Sequence, residues 1–230
     1  MKIYLSPSKQ PYNKYVYGNT NEQEQMEQLA PFVKATLENY KDVEVKIATS
    51  SKTIQERAIE SNLWNADLYI ALHSNAGSDT ARGAVGFYHQ DSNLSKRIAD
   101  FIVDRLNIAT PYGSNRWKQL YKGAFNAEGF NLYEVREPFK LSMTPVLIEV
   151  DFHDNPVTAK YIVENKPTIG RAIAEGIAWA TDLQLKEQEP VKTFYRVQVG
   201  AFIYESNAKK LQEELIRMGY KDAFIIKVGD

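Results

Sequence analysis

Leu68-Tyr-Ile-Ala-Leu-His-Ser-Asn-Ala76 decides the fold. Five apolar residues run up to a histidine, and small polar residues suited to a turn or helix cap follow, which is the pattern of a buried strand ending at a sheet edge. Working outward, similar short runs lie at 3–5, 43–48, 84–88 and 145–150. Between them, 22–40 carries Met26, Leu29, Ala30, Val33 and Leu37 at helical spacing, and 95–106 carries Ile98, Phe101, Ile102 and Leu106 likewise. A last helix at about 168–185 places Ile169, Ile173, Ile177 and Trp179 on its apolar side. This alternation predicts an α/β fold, a mixed, mostly parallel sheet with helices on both faces, whose functional residues gather beyond the carboxyl ends of the strands. His73 and Glu149 both stand at such ends.

The chain has 230 residues, 43% apolar and 25% charged, enough for one core plus a small appendage and unlike a disordered or fibrous protein. Lys plus Arg number 28 against 29 Asp plus Glu, so the net charge of -1 gives no basic attraction for nucleic acid. The absence of cysteine excludes disulfides, thiolate nucleophiles and cysteine-bound zinc together. The first residues do not read as a secretory signal, and no apolar run is long enough to span a membrane. The expectation is a protein made in the cytoplasm, with no membrane partner.

After the last helix, a charged, proline-containing stretch at 184–193 reads as a linker between a main domain at 1–183 and a small unit at 194–230. In that unit the alternation restarts as a βαβ pattern: a strand at 195–202, a helix at 207–218 closed by Gly219, and a strand at 223–228. A unit of this size is too small for an independent core, so it pairs with itself, packs on the main domain or stays marginal.

Three histidines, His73, His89 and His153, bear on any metal chemistry. A histidine at the open edge of a sheet is a metal ligand or an ordinary surface residue, and the six residues around His73 do not separate the two. Val146-Leu-Ile-Glu-Val150 sets Glu149 in an apolar strand, where desolvation raises its pKa and suits it to accept a proton; an outward-facing edge glutamate is the alternative. Glu24 and Glu27 are explained by the dipole at the start of a helix.

Four stretches taken in order resemble the zinc-dependent N-acetylmuramoyl-L-alanine amidases of amidase-3 type, which hydrolyse peptidoglycan. They are Ile3-Tyr-Leu-Ser-Pro7, Asn21-Glu22 with Leu29-Ala30, Leu72-His-Ser-Asn-Ala76, and Pro145-Val-Leu-Ile-Glu149 followed by Phe152-His-Asp-Asn155. The resemblance implies Glu22 and His73 as zinc ligands and Glu149 as the catalytic base. It also implies cleavage of the amide between the lactyl group of N-acetylmuramic acid and L-alanine. The family's first zinc histidine has no counterpart, because Lys9 stands in its place, and an ammonium offers no lone pair. His153 is the expected third ligand and His89 the alternative. Arg136, Asn75 and Gln198 are the expected substrate contacts, although Arg136 is equally read as a surface arginine. The tail, with Tyr195-Arg-Val-Gln-Val-Gly-Ala-Phe202, resembles half of a SPOR domain, a module that binds peptidoglycan, so either two chains supply one half each in a homodimer, or the unit is incomplete and binds poorly. The implied setting is a phage endolysin or a sporulation autolysin that meets the wall after lysis. The rivals are a wall-binding protein without a working metal site and a zinc peptidase cutting within the stem peptide.

Overall fold

The computed structural model describes residues 1–124, 130–187 and 197–228. They fall into two compact units, Met1–Glu187 and Gln188–Asp230. In the first, the five apolar runs become β1 (Lys2–Pro7), β2 (Glu44–Ile47), β3 (Leu68–Asn75), β4 (Val85–Tyr88) and β6 (Thr144–Phe152), and a short strand the sequence reading missed, β5 (Leu120–Lys122), joins them. The helices are α1 (Glu22–Leu37), α2 (Ile54–Leu63), α3 (Asn93–Ala109), α4 (Tyr133–Lys140), α5 (Pro156–Glu164) and α6 (Lys166–Ala180). The strands form one sheet in the order β2-β1-β3-β6-β4-β5. All neighbours are parallel except β4 and β6, which makes the sheet mixed and mostly parallel, as the alternation predicts.

Strand side chains alternate between two cores. Ile3, Leu5, Ile70, Leu72, Ile148 and Val150 pack under α1, α3 and α6 through Met26, Leu29, Ile102, Ile173 and Ile177. Tyr4, Tyr69, Ala71, Val85, Phe87 and Leu147 form the opposite face with Val135 of α4. The helices on the first face approach closely because α6 carries glycines at its crossings. A Cβ on Gly170 would stand 2.6 Å from the Cβ of Phe32, and one on Gly176 2.6 Å from the Cα of Ile102.

Several boundaries differ from those read in the sequence. Helix α6 stops at Ala180, where Asp182 takes a positive φ of 56°, and the chain then runs back beside α1, with Lys186 N–H donating to the Asn39 carbonyl. The first unit therefore reaches Glu187 and takes in the first residues expected of the linker. Trp179, expected on the apolar side, is half exposed and lies under the Arg105 guanidinium at 4.5 Å. Helix α2 escaped the periodicity reading because its only buried residues are Arg57, Ala58 and Ser61. Its signal is a capping box: Thr53 Oγ1 accepts from Glu56 N–H, and the Glu56 carboxylate accepts from Thr53 N–H at 2.7 Å.

In the second unit, α7 (Glu205–Arg217) ends at Gly219, which has a φ of 102°. The expected flanking strands are absent among the described residues: 197–202 and 223–228 have no ladder, while Tyr195 and Arg196 lie outside the described residues. A strand exists only with a hydrogen-bonded neighbour, and here none is described. Instead, Gln212 Nε2 donates to the Ala223 carbonyl at 2.8 Å and ties that segment to the helix. No residue of α7 is buried, and Val197, Ile203, Phe224 and Val228 stand more than half exposed.

Candidate active site

Register brings the site together at the carboxyl ends of three adjacent strands. His73 of β3 pairs directly with Glu149 of β6, and Ser6 of β1 pairs with Ala71 two residues before His73. By alternation, Ser6, His73 and Glu149 rise on the same face as Tyr69 and Ala71. Glu22, the first residue of α1, reaches this row from its helix start, where Asn21 Oδ1 accepts from Glu24 N–H at 3.1 Å.

His73 is buried between two carboxylates. Its Nδ1 lies 2.8 Å from Glu22 Oε1 and its Nε2 lies 2.9 Å from Glu134 Oε2. Burial pulls the imidazole pKa down, but the hydrogen bonds to Glu134 and Glu22 outweigh it and hold His73 well above the usual value. The same partners act back on the acids: burial raises Glu22 and Glu134, and the bonds to His73 bring both below the ordinary carboxylate value. Glu149 behaves differently. Desolvation pushes it up to about 7, aided by the charges of Glu22 and Glu134 and opposed by His73, and its Oε2 is shut from solvent without a partner.

The sequence reading missed a buried polar layer behind His73. Glu134 Oε1 accepts from Ser6 Oγ at 2.5 Å and from Tyr69 OH at 3.0 Å. The fully buried Arg57 donates from Nη1 to Ser6 Oγ at 3.1 Å and to the Pro7 carbonyl, and from Nη2 to the Thr49 carbonyl. Glu134 lies two positions before Arg136 in a stretch read only for its arginine, and a glutamate at a helix start has an ordinary explanation in the dipole. Nothing local marks Arg57 as buried.

Lys9 is turned away from the site. Its Nζ donates to the Ser50 and Lys52 carbonyls, each at 2.8 Å. Gln10 is exposed, but its amide reaches the edge of the site: Nε2 lies 3.3 Å from His73 Nδ1, and Oε1 accepts from Asn13 Nδ2 at 2.7 Å. Asn13 Nδ2 also donates to Glu22 Oε2 at 2.7 Å, tying the two side chains together.

Among the described residues, no group of three or more His, Cys, Asp or Glu side chains is placed to hold a metal ion. Neither expected third ligand completes a set with Glu22 and His73. His153 Nδ1 lies 2.9 Å from the Ser74 carbonyl and 3.0 Å from Ser74 Oγ, and its ring stacks on Tyr15 at 5.2 Å. His89 follows β4, and β4 runs antiparallel to β6: Val85 pairs with Glu149 and Tyr88 with Val146. His89 is thus carried about 13 Å along the sheet from Glu149, where it stacks on Phe139. Of the expected substrate contacts, Arg136 bonds Asn131 Oδ1 at 2.8 Å and Glu137, and Asn75 Oδ1 accepts from Ala76 N–H. Gln198 belongs to the second unit, where it donates to the Gly200 carbonyl.

The donor chemistry nonetheless fits a zinc ion. A carboxylate and an imidazole meet at Glu22 and His73, and beside them the buried Glu149 Oε2 has no hydrogen-bond partner among the described residues. Ser8 belongs to this neighbourhood, since its hydroxyl helps to lower the Glu22 carboxyl.

Fold and site thus define an α/β protein with a buried glutamate-histidine centre at the strand ends. The N-acetylmuramoyl-L-alanine amidase family model matches residues 8–179, three quarters of the chain, so the chain belongs to that family. A SPOR domain model matches residues 168–228, of which 168–180 are built into α6 of the first unit. The chain is 28% identical to N-acetylmuramoyl-L-alanine amidase CwlM of Bacillus licheniformis over 83% of its length and 70% of the relative's. It is 22% identical to the sporulation-specific N-acetylmuramoyl-L-alanine amidase of Bacillus subtilis (strain 168) over 99% of its length and 85% of the relative's. In fold it resembles the catalytic domain of CwlV, an amidase from Bacillus (Paenibacillus) polymyxa var. colistinus. The TM-score is 0.65 at 19% identity, covering 80% of this chain and 99% of that one.

Proposed function

We propose that this chain hydrolyses the amide between the lactyl group of N-acetylmuramic acid and L-alanine, with Glu149 as the general base. The observation that carries this reading is the meeting of Glu22 and His73 at 2.8 Å beside Glu149, whose buried Oε2 has no partner and whose pKa stands at about 7. Glu22 and His73 would hold a zinc ion, which supplies a Lewis acid for the scissile carbonyl and makes the attacking water more acidic. The Glu149 carboxylate takes the proton of that water and passes it to the departing amide nitrogen, and a pKa near neutrality serves both transfers. The apolar surroundings of β6 keep this carboxylate desolvated and basic.

The tail is read as a peptidoglycan-binding unit that is completed by the tail of a second copy. Its SPOR match and the exposed apolar residues around α7 support that reading. Product analysis of digested peptidoglycan tests the activity. Release of intact stem peptides with a free L-alanine amine is expected, lost in Glu149→Gln. New termini inside the stem peptide would make the chain a peptidase, and no release with zinc present would make it a binding protein.

A further inference from the structure

The ring nitrogen that His73 turns to Glu134 decides where a metal ion sits. Nε2 lies 2.9 Å from Glu134 Oε2, and Glu134 is held in place by Ser6 and Tyr69, with Arg57 behind Ser6. An imidazole whose Nε2–H is held by a fixed carboxylate offers its lone pair at Nδ1 once a metal ion displaces the proton there, the usual way in which an outer carboxylate orients a metal-binding histidine. One ion cannot bind both nitrogens, so Glu134 stands behind the ring rather than on the metal.

On the Nδ1 side two side chains wait: Glu22 Oε1 at 2.8 Å and the Gln10 amide at 3.3 Å. Neighbouring donors on a tetrahedral zinc with bonds near 2.0–2.1 Å stand about 3.3 Å apart. The Gln10 amide is already at that spacing, and Glu22 needs to open by about half an ångström. Gln10 directly follows Lys9, whose ammonium is committed to two carbonyls elsewhere, so the segment places an amide in the site and keeps the cation out. Half a turn of the Gln10 amide exchanges Oε1 and Nε2 without changing its shape. Asn13 then gives up its bond to Gln10 and keeps the one to Glu22 Oε2.

We propose that the metal site consists of Glu22, His73 through Nδ1 and the side-chain oxygen of Gln10, with Glu134 as the positioning residue behind His73. This assignment rests on the zinc amidase reading above, and the test separates the two. The full chain is compared with Gln10→Ala, Gln10→His, Glu134→Leu, Glu134→Gln and His153→Ala. Zinc affinity is measured by competition with a chelator, the visible absorption of the cobalt-loaded protein is recorded, and peptide release from peptidoglycan is assayed.

Gln10→Ala is expected to weaken zinc by about tenfold or more and to move the cobalt bands, because a donor atom changes. Gln10→His, which supplies an imidazole, tightens zinc. Glu134→Leu weakens zinc by roughly 10- to 100-fold, the scale of losing an outer-shell partner. Glu134→Gln, which keeps an oxygen to accept Nε2–H, restores most of that loss, and this rescue separates positioning from unfolding. Unmoved cobalt bands in Gln10→Ala, or loss of zinc in His153→Ala with Gln10→Ala unaffected, overturns the donor assignment while the amidase reading stands. A wild-type chain that binds no zinc yet releases peptides overturns both the zinc chemistry and the assignment.

Discussion

Glu149 and Asp151 lie two residues apart on β6, and desolvation raises both, with different consequences. Asp151 is buried and its Oδ1 accepts from Gly83 and Phe152 N–H at 2.9 and 2.8 Å, yet burial prevails and carries it from 3.8 to about 6. The folded chain thus keeps the Asp151 proton up to about pH 6, while the unfolded chain releases it near 3.8. This group's contribution to stability therefore falls as pH rises between those values, by up to about 3 kcal/mol. Asp151→Asn keeps the oxygen that accepts both N–H groups and removes the buried charge. The melting temperature of the variant minus that of wild type should rise between pH 4 and pH 6.5 and then level off; a flat difference would show that Asp151 is better solvated than its burial indicates. For Glu149, the metal-free carboxyl is expected to titrate near 7, followed by carbon NMR of the labelled side chain, and a midpoint below about 5 would contradict its desolvation. Glu149→Gln should lose peptide release by at least about a hundredfold, the scale of general base catalysis, with zinc binding retained.

At the scale of elements, the site depends on helices that sit close to the sheet. Helix α6 crosses α1 and α3 at Gly170 and Gly176, and a methyl on either meets backbone of the facing helix. Gly176→Ala should destabilise the first unit by about 1–3 kcal/mol through overpacking, measured by denaturant unfolding. An unchanged midpoint would mean that α3 moves freely. Thr53→Ala removes one arm of the α2 capping box and should cost about 1 kcal/mol. Because α2 carries Arg57, which supports Ser6, Glu134 and so His73, this change is also expected to lower zinc affinity slightly.

For the molecule as a whole, the two units make separate predictions. Met1–Glu187 has its own sheet and two cores, so a chain ending at Glu187 should fold and release peptides from soluble wall fragments as the full chain does. The full chain should sediment with purified peptidoglycan and the shortened one should not. Light scattering over a concentration series should show the full chain passing from monomer to dimer and the shortened chain remaining monomeric. A full chain that is monomeric and still sediments would mean that one tail binds the wall alone.

The α/β alternation, the strand-end places of His73 and Glu149 and the helix start at Glu22 were legible in the chain itself, because apolar period and capping chemistry are local properties. Direction was not: β4 looks like any other short apolar run, and only its antiparallel pairing with β6 shows that His89 ends far from Glu149. The reach of the Gln10 amide to His73, the burial of Arg57 against Ser6 and the clasp of Glu134 on Ser6 and His73 join residues up to 128 positions apart. Local sequence sets which side chains are present and where strands and helices begin. Which donors meet at one point is decided by strand order, register and helix packing, because those bring together groups that share no neighbourhood along the chain.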